Sequence, residues 1–165
     1  MPVTSAGLLA YRPAASASDG GAVFEVLIAH MGGPFWQRKD AGAWTIPKGE
    51  YDPAGESPLQ AARREFREEL GIDAPDGRVI DLGSFAASRK TITVFAVDGA
   101  ALDISHLAFG EFELEWPPRS GKVVSFPEVD RVEWMHLAVA AEKLTASQRP
   151  AVVALAAALG TRGVS

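Results

Sequence analysis

Apolar and polar residues alternate along this chain in short bursts that separate into strand-like and helix-like periods. Residues 5–12 (SAGLLAYR) and 24–30 (FEVLIAH) are rich in β-formers and read as strands. The small-residue stretch 13–21 between them suits a hairpin loop. Residues 31–42 have no period and read as an ordered loop of aromatic and basic residues, a kind of segment that often carries function. A short extended piece follows at 44–47, then a turn-rich loop at 48–56. Residues 79–86 and 91–97 read as strands joined by the polar turn 88–90, and the alternating stretches 112–116 and 131–137 as two more. Residues 138–144 and 148–159 read as closing helices, with Gly160 as a stop signal. Strands interspersed with single helices, with neither an internal repeat nor a long linker, predict one α+β domain spanning 1–165.

The clearest helix starts at Ser57. Serine is a good N-cap, Pro58 suits the first helical position, Gln60 completes a capping box, and Gly71 sits where a left-handed C-terminal residue belongs. At about 100° per residue, with Glu65 at zero, Leu59, Ala62, Phe66 and Leu70 fall between roughly 60° and 140° and form the buried stripe. Glu68, Glu65 and Glu69 fall at roughly 300°, 0° and 40°, while Arg63, Arg64 and Arg67 occupy the remaining arc. Three carboxylates therefore share one face beside the core, with only the small Ala61 among them. Like charges at this spacing repel by a few tenths of a kcal/mol per pair on an exposed helix, and by more where the dielectric is low. Hard oxygen ligands are what Mg²⁺ or Mn²⁺ prefers, so a bound divalent cation reverses that balance. The plainer alternative is a solvated helix laced with ion pairs such as Arg64–Glu68. A glycine-bearing loop with its own acid, Glu56, feeding directly into the helix favours the cation.

Composition narrows the classes. The 165 residues are 47% hydrophobic and 22% charged, with no cysteine and three scattered histidines, which excludes disulfide scaffolds, thiol nucleophiles and a histidine-built zinc site. The net charge of −5 argues against a general duplex nucleic-acid binder. The run 151–159 is about half the length a membrane span needs, and no positive charge precedes Arg12 as a secretory leader requires. The expectation is a cytoplasmic protein, monomeric or homodimeric, with a small-molecule partner.

Residues 49–72 resemble the Nudix box, G-x5-E-x7-R-E-U-x-E-E-x-G-U with U apolar. Glu56 is followed by seven residues and then Arg64-Glu65-Phe66-Arg67-Glu68-Glu69-Leu70-Gly71-Ile72, which match every fixed position. The one departure is six residues rather than five between Gly49 and Glu56. The resemblance implies an α/β/α sandwich with a mixed sheet and flanking helices, and hydrolysis of a nucleoside diphosphate linkage with Mg²⁺, or Mn²⁺ in its place. It implies Glu65, Glu68 and Glu69 as metal ligands helped by the Gly49 carbonyl and Glu56, with Arg64 orienting a box glutamate. Glu68 also counts among the candidate catalytic residues, and Glu128, just ahead of the tryptophan-bearing strand, is the best late candidate for a general base. Trp44-Thr-Ile-Pro-Lys-Gly49 is similar to the W-x-x-P-K-G lead-in of Nudix enzymes that cleave diadenosine polyphosphates, which gives Lys48 to the phosphate chain.

For the rest of the substrate, Trp44 and Tyr51 are candidate stacking faces, with Phe35, Trp36 and Trp116 behind them. Arg38 and Lys39 are the first of several loop basic pairs that could meet phosphate, alongside Arg89 and Lys90, and Arg119 and Lys122. At a strand end, His30 is expected to be a satisfied structural residue rather than a base. A dinucleoside polyphosphate is favoured over a nucleoside triphosphate, and an ADP-ribose-type sugar comes third. Two other classes compete: a nucleotide-sensing module without turnover, and a purely structural domain that binds no metal.

Overall fold

The computed structural model describes residues 3–14 and 23–161. Strands β1 (Val3–Pro13) and β2 (Phe24–Met31) run antiparallel, with Tyr11 opposite Val26 and Pro13 opposite Phe24. The hairpin loop expected between them falls largely on 15–22, outside the described residues. Strand β6 (Lys90–Asp98) lies parallel to β1, and β5 (Val79–Ala87) is antiparallel to β6. With β3 (Trp44–Thr45) beside β2, the order is β3-β2-β1-β6-β5. Strand β4 (Lys48–Glu50) also pairs with β1, and β9 (Val129–His136) with β2.

Alternation along these strands sends successive side chains to opposite faces, and each face buries its own core. Leu9, Tyr11, Val26, Ile28, Val94 and Ala96 pack against helices α2 (Leu137–Lys143) and α3 (Arg149–Leu159). Leu8, Ala10, Leu27, Ala29, Phe95 and Val97 pack against α1 (Pro58–Leu70). The result is an α/β/α sandwich with a mixed sheet. The apolar run at 151–159 is explained by α3, which is buried along Ala151, Val152, Leu155 and Ala156.

Helix α1 begins and ends as its residues require. The Ser57 hydroxyl accepts from the Gln60 amide at 3.2 Å, the Gln60 side chain accepts from the Ser57 amide at 2.9 Å, and Gly71 takes φ +74°. Ala61 is fully buried, so the core-facing stripe is one residue wider than Leu59, Ala62, Phe66 and Leu70.

Two elements depart from the expected pattern. Residues 48–50, expected to lie in a turn-rich loop, form β4, because Ser5, Ala6 and Gly7 of β1 pair with Glu50, Gly49 and Lys48. Residues 123–127, for which no element is expected, form β8 (Val123–Pro127), paired with β7 (Glu111–Glu115) in a separate two-stranded sheet. Strand β4 is specified by a distant partner and β8 by the strand just ahead of it, and neither carries a local period.

Candidate active site

The site begins with the turn between β3 and β4. Pro47 and its neighbours are fixed from the far side of the sheet by Gln148, which is 4% exposed. Its side-chain oxygen accepts from the Ile46 amide at 2.7 Å and its amide donates to the Thr45 hydroxyl at 3.0 Å. Sequence reading gives Gln148 no role, since its contacts lie more than a hundred residues away. The Pro47 carbonyl accepts from the Leu8 amide at 3.1 Å, which delivers Lys48 and Gly49 to the foot of α1.

There the acids gather in two sets. Arg64 forms the hub of the outer set: its guanidinium lies 2.6 Å from Glu56, 2.8 Å from Glu65 and 3.1 Å from Glu68. Hydrogen bonds to these carboxylates, the one to Glu56 foremost, hold Arg64 firmly protonated. The same bond keeps the Glu56 carboxyl below its ordinary range. With the additional residue before it, Glu56 has its carboxylate on Arg64. The inner set is Glu65 and Glu69. Burial raises the Glu65 carboxyl, against the pull of Arg64. Glu69 is more deeply placed, and burial, only partly offset by Lys48, pushes its carboxyl up to about 8. The Lys48 amide donates to Glu69 at 3.3 Å, and burial lowers the Lys48 ammonium.

Gly49 explains the close approach of β4 to α1. A Cβ at that position would lie 2.1 Å from the Glu65 carboxylate, so only a glycine lets the backbone reach it. Glu128, between β8 and β9, comes to the same end of the helix. A Cβ on Gly110 would stand 3.3 Å both from the Glu128 carboxylate and from the Glu68 carbonyl. The backbone of Glu128 is clamped on both sides, donating to the Gly110 carbonyl at 2.8 Å and accepting from the Gly32 amide at 2.9 Å.

Beyond Glu128 opens a cleft of about 290 Å³ lined by Gly33, Phe35, Trp36, Phe112 and Leu114. Phe35 is 56% exposed and meets Trp116 edge-on at 5.3 Å, while Lys39 lies 5.1 Å from the Trp36 ring. Phe112 and Leu114 escape sequence reading because their alternation in β7 is indistinguishable from ordinary packing.

The remaining candidates separate. Trp44 is corrected: at 1% exposure it has no free ring face, and its Nε1 donates to Asp40 at 2.9 Å, so it is a core residue. Trp44→Ala should therefore lower stability by about 3–5 kcal/mol, the scale of a large core truncation, as measured by urea unfolding. Tyr51 packs partly buried against the α1-side core. Arg38 and Lys39 are exposed on the loop that walls the aromatic cleft. Arg89 and Arg119 occupy left-handed turn positions at φ 58° and 63°.

Among the described residues no three acidic or histidine side chains are gathered into a ready-made metal cage. Arg64 instead draws Glu65 and Glu68 toward itself. The donor chemistry nonetheless fits a hard divalent cation: carboxylate oxygens on one helix face, a backbone brought close by Gly49, and a buried carboxyl in Glu69 with too little positive charge around it. Among the described residues no helix is long and apolar enough to cross a membrane.

A mixed sheet between helices, with an acid-bearing helix fed by a glycine turn, defines a NUDIX domain, and a model of that domain family matches residues 15–155. The chain belongs to the Nudix family. It is 43% identical over 56 residues to an RNA pyrophosphohydrolase of Francisella tularensis subsp. mediasiatica, spanning 33% of this chain and 36% of that protein. It is 55% identical over 38 residues to the asymmetrical bis(5'-nucleosyl)-tetraphosphatase of Sus scrofa, spanning 23% of this chain and 25% of that protein. These matches thus span about a third and a quarter of the curated relatives. In fold, the chain resembles a Caenorhabditis elegans Ap4A hydrolase binary complex, with TM-score 0.61 and 23% identity over 96% of this chain and 98% of that one. It also resembles the NUDIX domain of Shewanella oneidensis NrtR complexed with ADP ribose, with TM-score 0.60 and 14% identity over 96% and 89%.

Proposed function

We propose that this protein is a divalent-cation-dependent hydrolase of phosphoanhydride bonds in nucleoside polyphosphates, with a dinucleoside polyphosphate as the favoured substrate. The observation that carries this reading is the set of Glu65, Glu68 and Glu69 along one face of α1, with Glu69 buried beside Lys48. An acidic ridge repels a pyrophosphate on its own; as cation ligands the same residues become a receptor for it. Glu65, Glu68 and Glu69 would hold Mg²⁺ or Mn²⁺, with the Gly49 carbonyl and Glu56 assisting. When bound, the cation supplies charge neutralisation for phosphoryl oxygens and a lower pKa for water.

The chain's own residues do the rest. Arg64 orients Glu65 and Glu68 through charge-assisted hydrogen bonds. Lys48 offers an ammonium to a phosphate oxygen. Glu128, held at its backbone from both sides, would take a proton from the attacking water as the phosphorus–oxygen bond to the leaving phosphate breaks. The aromatic cleft beside Glu128 suits a planar base, with Arg38 and Lys39 exposed farther along the loop that carries Phe35 and Trp36. The W-x-x-P-K-G lead-in and the likeness to a bis(5'-nucleosyl)-tetraphosphatase over 38 residues support the choice of substrate.

A hydrolysis screen across dinucleoside polyphosphates, nucleoside triphosphates, ADP-ribose-type sugars and 5'-triphosphorylated RNA, with Mg²⁺ and product identification, tests the proposal. Tight nucleotide binding without turnover would point instead to a sensor. Glu68→Gln should lower turnover at least about a hundredfold, the loss expected for a key electrostatic group. Its melting temperature should hold, because Glu68 is exposed and Arg64 keeps Glu56 and Glu65. Lys48→Ala should mainly raise KM, as the loss of a contact made equally to substrate and transition state does. An unchanged KM would remove Lys48 from substrate binding.

A further inference from the structure

His30 is fully buried near the end of β2, away from the acidic ridge, and both ring nitrogens face oxygen acceptors. Nδ1 lies 2.8 Å from Asp130 Oδ1, and Nε2 lies 2.6 Å from the Lys39 carbonyl oxygen. A backbone carbonyl only accepts. Asp130 Oδ1 also accepts from Arg131 Nη1 at 3.3 Å, so this oxygen serves as an acceptor too. A neutral imidazole carries one N–H, so it can satisfy only one of two such partners. The His30 and Trp44 rings meet in a T-shaped contact, 5.0 Å between centroids, and the Arg131 guanidinium lies 5.1 Å from the Trp44 ring. The charged groups bearing on it are therefore Asp130 and Arg131 from β9. From the loop between β2 and β3 there is the carbonyl of Lys39, while Asp40 is occupied by Lys143 and Trp44.

We propose that His30 is a positioning residue that holds both ring protons and ties the loop bearing Phe35, Trp36, Arg38 and Lys39 to the strand that follows Glu128. Two hydrogen bonds on one rigid ring fix the Lys39 end of that loop relative to Asp130. Gly32, donating to the Glu128 carbonyl, fixes the other end. The loop is thereby set as the wall of the aromatic cleft before any ligand arrives, which reduces the ordering cost of binding. Its part in substrate affinity rests on the function proposed above, whereas the proton count and the loop order do not.

Side-chain nitrogen NMR decides the proton count directly. The chain has three histidines, and His106 and His136 are exposed, so the buried His30 signals can be assigned by their loss in His30→Gln. Both ring nitrogens of wild-type His30 should resonate in the protonated range at neutral pH; one unprotonated nitrogen would overturn the proposal. Asp130→Asn supplies an amide donor to Nδ1, so a neutral ring can then keep both contacts. That variant should show one unprotonated nitrogen, and two retained protons would refute the role of Asp130. In turnover assays His30→Gln should raise KM about tenfold with kcat within about threefold, while Asp130→Asn stays near wild type in KM. An unchanged KM in His30→Gln, or a loss confined to kcat, would refute the positioning role. Faster amide exchange over residues 33–39 in His30→Gln would support it without any reference to turnover. If His30→Gln fails to fold, loss of the other two signal sets in His106→Gln and His136→Gln assigns His30 by difference, and the wild-type and Asp130→Asn spectra still decide. A wild-type protein inert on every substrate would count against the proposed function and leave this test intact.

Discussion

Glu69→Gln should abolish most Mg²⁺-dependent turnover, by about a hundredfold or more, and yet make the metal-free protein more stable at pH 8. The turnover loss follows from removing a ligand oxygen and its charge at the most enclosed point of the ridge. The stability gain follows from burial. In the folded, metal-free chain the Glu69 carboxyl is pushed up to about 8, from an ordinary value of 4.5. Between those values the unfolded chain has released the proton and the folded chain retains it, so stability falls as pH rises through this window and levels off above about 8. Glutamine has no proton to lose. In a chelator, wild-type melting temperature should fall by at least about 3 °C from pH 5 to pH 8.5, while the variant stays flatter. Adding Mg²⁺ should stabilise the wild type more at pH 8.5 than at pH 6, with proton release, because cation and proton compete for one carboxylate. Parallel pH profiles for the two proteins would show that Glu69 is not the group responsible.

Gly49→Ala should separate fold from function. The added Cβ would fall 2.1 Å from the Glu65 carboxylate, which is the far end of a flexible side chain and can swing away. Alanine is otherwise acceptable at this strand position, since Gly49 has no left-handed backbone angle to preserve. The melting temperature should therefore change by less than about 3 °C. The displaced Glu65 can no longer share a ligand set with the Gly49 carbonyl, so turnover and Mg²⁺ affinity should drop about a hundredfold, a scale that misplacement by about 1 Å commonly reaches. Titration calorimetry with Mg²⁺ and a steady-state assay on the same preparation measure both. Wild-type kinetics with an intact Tm would mean that the approach of β4 to α1 has no part in the chemistry.

The amino-acid sequence alone determined what depends on neighbours along the chain. The boundaries of α1 were legible because Ser57, Pro58, Gln60 and Gly71 act within one turn of where they stand, and the acidic face because a helix repeats at a fixed angle. The buried faces of β1 and β2 followed from composition in the same way.

Only tertiary structure decided which partners those residues met. Local pattern left Trp44 between core residue and stacking face; in the fold it is enclosed by His30, Arg131 and the α2–α3 core. Strand β4 exists because the distant β1 offers hydrogen bonds, and β8 because β7 just ahead of it does, a fact absent from their own residues. Glu56 could have faced the ridge or Arg64, and in the fold its carboxylate lies on the arginine. Burial, too, is a property of the folded whole: three glutamates alike in sequence become one exposed, one half-buried and paired with Arg64, and one enclosed beside Lys48. That burial raises the proton affinity of Glu65 and Glu69, and it arises only once the sheet has closed over the helix.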